Sequence, residues 1–246
     1  MVRVLFLGVG GWISEPNLGH TSILIENSEG EKMLLDAGEG AYVMLKRCGY
    51  DVDDLNYVVI THAHGDHVLG IPTLVQMKIY KGLNKLKIIT SPETSDAIRN
   101  LLHITCNIIP ETFVEIIELD YSLELEVGGF KLKFIKAPHT VPALSVKVET
   151  DGKTIVYSGD TIYNPSLIEF AKGCNLLIHE AANYSKEAYK YGHSSYEEAI
   201  RIALDSNAEI LALIHFYQTP LPIDIGDFSG RRLRIFIPYP CTFLKI

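Results

Sequence analysis

The chain has 246 residues, 47% of them apolar, and a formal net charge of -8. That length and apolar share support one sizeable core and exclude a disordered or low-complexity chain. The acidic balance argues against extended, non-specific binding to a phosphate backbone, and no apolar run is long enough for a membrane-spanning helix.

In chain order, residues 2–7 read as an apolar strand broken by Gly8, Gly10 and Gly11. Because glycines and a polar loop follow without a clear cleavage site, no signal peptide is expected. Residues 21–26 and 32–35 read as two more strands around a turn, and a helix is expected over 41–48. Asp36 ends the third strand. Two readings of it stand together: a turn or cap residue, and an acceptor that orients a metal-bound histidine.

Residues 57–60 read as a buried strand that runs straight into Thr61-His62-Ala63-His64-Gly65-Asp66-His67. Three of the chain's nine histidines and an aspartate fall in that loop. On a helix His62 and His64 would point about 200° apart, so an irregular loop is expected, in which both can converge on one ion and Asp66 and His67 can turn to a second. Gly65 is expected to supply backbone angles closed to other residues. A helix over 68–80, a strand over 86–90 and a helix over 91–104 follow. His103 on that last helix reads as a surface or boundary histidine.

Strands are expected over 113–119, 122–127 and 131–136, then His139 after a proline. A hairpin over 144–149 and 153–157 delivers Ser158-Gly159-Asp160-Thr161. A helix over 165–171 and a strand over 176–178 lead to His179 and Glu180. Ser195 with Glu198 reads as a capping box that starts a helix to 204. The strand over 210–214 ends in His215. The tail is basic at Arg231, Arg232 and Arg234, with strands expected over 233–237 and 242–246. The four cysteines, Cys48, Cys106, Cys174 and Cys241, form no C-x-x-C and read as small core residues in a reducing, cytoplasmic setting.

H-x-H-x-D-H after an apolar strand resembles the signature of the metallo-β-lactamase superfamily. S-G-D-T at Ser158 resembles the same superfamily, and the F-L-G-x-G at Phe6, L-D-A-G-E-G at Leu35, G-I-P at Gly70, L-I-H-E-A at Leu177, His193-Ser194 and L-I-H-F at Leu213 resemble RNase Z in their order. The resemblance implies one α/β domain over residues 1–246, an αββα sandwich of two mixed sheets with helices outside. It implies that His62, His64 and His139 hold one metal, and that Asp66, His67 and His215 hold another, with Asp160 between them. Nitrogen and carboxylate ligands without thiolate suit zinc, and also manganese or iron. Asp66, His193 and Glu180 are the implied catalytic residues of a dinuclear, metal-dependent phosphodiesterase. A carboxyl-ester, lactone or thioester hydrolase and a metal-binding redox protein are the alternatives. The expected partners are a phosphodiester, small molecule or RNA, and a second copy of the chain in a dimer, with no membrane.

Two departures bear on the substrate. About twenty residues separate His139 from Asp160, too few for the tRNA-gripping arm of the short RNase Z enzymes. After His215 the chain reads Phe216-Tyr217-Gln218-Thr219-Pro220, where RNase Z has a serine- and arginine-containing run.

Overall fold

A computed structural model describes residues 1–13, 15–106, 110–119, 121, 123–182, 186–218 and 233–246. Arg231 and Arg232 of the basic tail, Thr219, Pro220 and the expected strand start at Ser122 lie outside the described residues.

A period of two residues builds the first sheet. β1 (Arg3–Gly8) sends Val4 and Phe6 to one face and Leu5 and Leu7 to the other, all four buried. β2 (Ser22–Glu26) and β3 (Lys32–Leu35) continue both faces, with Ile23, Ile25, Met33 and Leu35 on the first, Leu24 and Leu34 on the second. After α1 (Ala41–Arg47), β4 (Tyr57–Val59) pairs parallel to β3. Then come α2 (Gly65–Val68), α3 (Ile71–Tyr80), β5 (Leu86–Thr90), α4 (Pro92–Cys106), α5 (Pro110–Phe113) and β6 (Val114–Glu118). The order in this sheet ends β3-β4-β5-β6 through parallel pairs.

The second half repeats the plan. β7 (Leu125–Val127), β8 (Phe130–Ala137), β9 (Ala143–Thr150) and β10 (Lys153–Tyr157) form an antiparallel meander. α6 (Pro165–Phe170), β11 (Leu176–Glu180), α7 (Tyr196–Asp205), β12 (Ile210–Ile214) and β13 (Arg234–Phe236) follow, and β10 to β13 pair parallel. β14 (Thr242–Lys245) crosses back to pair with β1. Every residue of β11 and β12 is buried, the uninterrupted pattern of central parallel strands covered on both faces.

Among the described residues the result is an αββα sandwich of two mixed seven-stranded sheets. One core, including Val4, Phe6, Ile23, Phe134, Val146 and Ile178, lies between the sheets. A second, including Leu5, Leu34, Val58, Leu74 and Ile98, lies under α1, α3 and α4. β8 runs parallel to β10, since each is antiparallel to β9. The carboxyl ends of β3, β4, β8, β10, β11 and β12 each deliver a residue to one rim. None of the helices among the described residues is long and apolar enough to cross a membrane.

Three local expectations change. The helix expected over 68–80 is two helices, because Gly70 presses on the Asp36 loop. Its N–H donates to the Ala37 carbonyl at 2.8 Å, and a Cβ there would lie 2.3 Å from the Gly38 oxygen. Gly65 takes ordinary helical angles, and only His62 and His64 sit in irregular backbone, with Asp66 and His67 in the one-turn α2. The cysteines are not all unpaired: Cys48 and Cys241, 193 residues apart, form a disulfide joining the end of α1 to the turn before β14. Sequence distance hid this pair, and it removes the unpaired cysteines as support for a reducing, cytoplasmic setting. Cys106 and Cys174 are free, as expected.

Candidate metal centre and cleft

The rim gathers the seven expected ligands into two overlapping groups: His62, His64, His139 and Asp160, and Asp66, His67, Asp160 and His215. In the first, Nδ1 of His64 lies 3.1 Å from Nε2 of both His62 and His139, and Asp160 Oδ2 lies 3.5 and 3.8 Å from those two nitrogens. In the second, Nε2 of His67 is 3.4 Å from Asp66 Oδ2 and from Asp160 Oδ2, and Nε2 of His215 is 3.1 and 3.2 Å from the same two oxygens. Donor atoms about 2.0–2.1 Å from a tetrahedral ion stand about 3.3 Å from one another. Both groups show that spacing, so the donor set fits a dinuclear divalent metal site. Asp160 Oδ2 is common to both groups, and its Oδ1 is buried without a hydrogen-bond partner among the described residues.

The far ring nitrogens explain how the rings are aimed. Asp36, fully buried with φ 54°, takes most of the load. Its Oδ2 accepts from Nδ1 of His67 at 2.7 Å, from the Tyr157 hydroxyl at 2.7 Å and from the Thr61 hydroxyl at 2.8 Å. Its Oδ1 accepts from the Thr61 N–H at 2.7 Å. The Thr61 hydroxyl has one proton, and that proton goes to Asp36. Its oxygen therefore accepts from Nδ1 of His62, 3.0 Å away. One carboxylate thus holds a histidine of each group, His67 directly and His62 through Thr61. His139 donates from Nδ1 to the Gly192 carbonyl at 2.7 Å. In each case Nε2 is left as the unprotonated face toward the centre. Of the two readings of Asp36, the histidine acceptor is the one these contacts show.

Electrostatics agree in the first group, while in the second, against the effect of burial, Asp160, Asp36 and Asp66 raise His67 well above the ordinary imidazole value and Asp160 and Asp66 raise His215, holding protons that a bound cation would replace. Burial lowers His62 well below the ordinary imidazole value, with His67 adding to it, and burial lowers His64 and His139 as well. Burial works against ionising Asp160, yet His215, His67 and His62 hold its carboxyl well below the usual range. Asp66 is likewise held down by His67 and His215 against the effect of its burial. The centre is an ionised carboxylate pair ringed by crowded imidazoles, an arrangement that gains from a cation at its middle.

Beside it, Glu180 is fully buried at the end of β11. Its Oε1 accepts from Nδ1 of His193 at 3.1 Å, from the Ser194 N–H at 3.0 Å and from the Thr161 N–H at 3.1 Å, and its Oε2 accepts from the Ala182 N–H at 3.0 Å. Glu180, His193 and His215 also stand close enough together to count as a third ligand group. With four N–H donors on it already, Glu180 is an orienting carboxylate for His193. His193 shares a cleft of about 560 Å³ with His64, Asp66, Asp160 and His215.

A model of the family described as anti-Pycsar protein Apyc1 matches residues 2–231. The chain belongs to that family. It is 30% identical to Ribonuclease Z of Pyrococcus abyssi, over 87% of this chain and 86% of that enzyme. It is therefore an RNase Z-like hydrolase of the metallo-β-lactamase superfamily. Its fold matches the metallo-β-lactamase fold protein YhfI from Bacillus subtilis, with a TM-score of 0.85, 24% identity and all of both chains covered. Human tRNase Z, short form, matches with a TM-score of 0.80 at 22% identity over 99% of each chain. The Pyrococcus alignment spans 266 positions, more than the 87% of this chain's 246 residues that enter it, so that enzyme carries insertions absent here.

Within this RNase Z-like site, every ligand expected from sequence reaches the rim, and His193 meets Glu180. His103 lies exposed on α4, apart from the centre, and His179 is buried within β11 with Nδ1 2.7 Å from the Glu180 carbonyl oxygen. Sequence reading missed the cleft walls: Trp12, Ile13, Thr140, Lys190, Tyr191 and Tyr217. Trp12 and Tyr191 are 67% and 65% exposed, unusual for large aromatics. The chain's sole tryptophan, set in a glycine-rich loop, was the available signal. Tyr217 packs edge-on to His193, ring centroids 5.9 Å apart.

Proposed function

We propose that this chain is a phosphodiesterase that hydrolyses small or cyclic phosphodiesters, using two divalent ions, zinc, at the rim. The observation that carries the reading is the Glu180–His193 pair, set in the same cleft as both ligand groups. Redox chemistry has no need of a carboxylate-oriented imidazole there, and the similarity to Ribonuclease Z supports a phosphodiester over an ester or lactone. His62, His64 and His139 would hold one ion and Asp66, His67 and His215 the other, with Asp160 shared. Bound ions supply an activated water at neutral pH and neutralise charge on the phosphate.

The chain's own groups do the rest. Asp66 and Asp160 carry the negative charge that retains cations, and Asp66 faces the cleft, where its carboxylate can accept a hydrogen bond from the attacking water and orient it. Glu180 accepts from Nδ1 of His193, which leaves Nε2 of that ring for the leaving oxygen. Tyr217, whose hydroxyl is pushed up by burial and by the nearby Glu180, Asp160 and Asp66 carboxylates, stays a protonated donor at the cleft wall.

The size of the cleft suits a small molecule. The β9–β10 hairpin fills the interval between His139 and Asp160 with sheet, leaving no arm there. Purified protein should contain close to two equivalents of zinc and turn over bis(p-nitrophenyl) phosphate, with little action on a lactone or a pre-tRNA. Full activity in metal-stripped protein, or faster turnover of the lactone than of the phosphodiester, would overturn the proposal.

A further inference from the structure

Three of the ligand histidines, His62, His67 and His139, have the far ring nitrogen tied by a hydrogen bond. His215 does not. Its Nδ1 is buried and has no hydrogen-bond partner among the described residues. Its Nε2 pairs with Asp66 Oδ2 at 3.1 Å, but no second hydrogen bond fixes the ring from its far side, so the aim of the ring depends on what packs against it.

The shape of the surroundings does so. A Cβ at Gly11 would lie 2.8 Å from His215 Cε1 and 3.0 Å from its Nδ1, so the imidazole rests directly on the Gly11 backbone. Its remaining sides meet the rings of His67 and His193, with centroids 5.4 and 5.1 Å away. Gly11 is itself pinned. Its N–H donates to the Phe216 carbonyl at 3.3 Å, and its carbonyl contacts Nδ1 of His20 at 2.9 Å. The Thr21 hydroxyl donates to the Gly10 carbonyl at 3.0 Å, and the His215 N–H donates to the Val9 carbonyl at 2.6 Å. His215 also holds φ at 69°, a left-handed angle that is unfavourable for a residue with a Cβ and persists only when neighbours impose it.

We infer that the glycine loop Val9-Gly10-Gly11 is the positioning element for His215, a steric backstop that replaces the missing hydrogen bond and sets how tightly Asp66, His67 and His215 hold their ion. The inference rests on the two-ion reading above. Any side chain at Gly11 pushes the ring toward His67 and His193 and moves Nε2 off the two carboxylates. In the first ligand group His62 and His139 are anchored elsewhere, through Thr61 and Gly192, and that group shares only Asp160 with the one His215 completes.

The test titrates metal-stripped protein with zinc and follows binding directly, with unfolding temperatures recorded on the same metal-free samples. Gly11→Ala should bind its first zinc as wild type does and its second about 10–100-fold more weakly. His20→Ala, which frees the Gly11 carbonyl, should weaken the second zinc in the same direction and less. In the His215→Ala background the imidazole contact is gone and only a 3.2 Å approach to the residue 215 carbonyl oxygen remains, so adding Gly11→Ala should change zinc binding no further and lower the unfolding temperature far less than it does in the wild-type background. An unchanged second constant in Gly11→Ala overturns the inference. So does an additive loss of stability in the double variant, which would make Gly11 a general loop residue. A wild-type chain that binds one zinc defeats the two-ion reading and this inference together, whereas two normal constants in both proteins defeat this inference alone.

Discussion

His193 and Asp36 show two ways in which one carboxylate does its work. Glu180 fixes the His193 ring by a single bond to Nδ1. His193→Ala should therefore keep both zinc equivalents and lose about 10²–10⁴-fold in rate on an alkyl phosphodiester, where the leaving oxygen needs a proton. On a nitrophenyl ester, which leaves unprotonated, the loss should shrink. Glu180→Gln should follow the same pattern more mildly, and equal losses on both esters would leave His193 without an acid role. Asp36 instead collects four donor groups, from His67, Thr61 (twice) and Tyr157, with no exposure to water. Burial, and then Asp36 itself, push the Tyr157 hydroxyl well above its ordinary value, so it remains a donor. Asp36→Ala strands these buried groups. Denaturant unfolding of metal-stripped protein should show a loss of about 3 kcal/mol or more, and a loss under 1 kcal/mol would show that the four donors find other partners.

Among the elements, the Cys48–Cys241 bond joins the end of α1 to the turn before β14. β14 is an edge strand, paired on one side with β1, the strand that leads into the glycine loop. Closing a loop of this length removes unfolded-state freedom, and Cys48→Ser with Cys241→Ser should lower stability by about 2–4 kcal/mol. A thiol reductant should lower the wild type to the same level and leave the double variant unmoved. The free thiols differ. Cys174 is buried, which pushes its thiol up to about 12, while Cys106 is half-buried. At pH 8 the Cys174 thiolate is absent, so iodoacetamide should label Cys106 in the native protein and reach Cys174 only after unfolding. Rapid native labelling of Cys48 or Cys241 without reductant would show that the bond is not formed.

For the molecule as a whole, substrate size follows from what surrounds the centre. The net charge is -8, and a hairpin occupies the interval where an arm would emerge. A nucleic acid would have to bind against the overall field, through few phosphate contacts. Pre-tRNA should bind weakly and be cleaved poorly, whereas small phosphodiesters should be turned over comparatively well. Tight binding of pre-tRNA with a steep salt dependence would point to basic groups such as Arg231, Arg232 and Arg234 acting in place of the arm.

Strand positions were legible because alternation is local. The side chains of residues 2–7, 21–26 and 32–35 already show which faces will be buried, and the glycines and turns show where each strand stops. The ligand types were legible for the same reason: an aspartate or histidine stands at the end of one strand after another, and each such address can be read without its neighbours. The tertiary structure decided which of those ends meet. Asp36 reaches His67 and Tyr157 only because parallel pairing aligns β3 with β4 and the second sheet closes over them. Gly11 lies on His215 across about two hundred residues of chain, and Cys48 finds Cys241 across 193. Trp12, Tyr191 and Tyr217 come from three separate segments that share a wall only in the folded chain. Periodicity encodes the direction a side chain faces. It carries no record of what arrives on that face from elsewhere, because that is set by packing between distant segments.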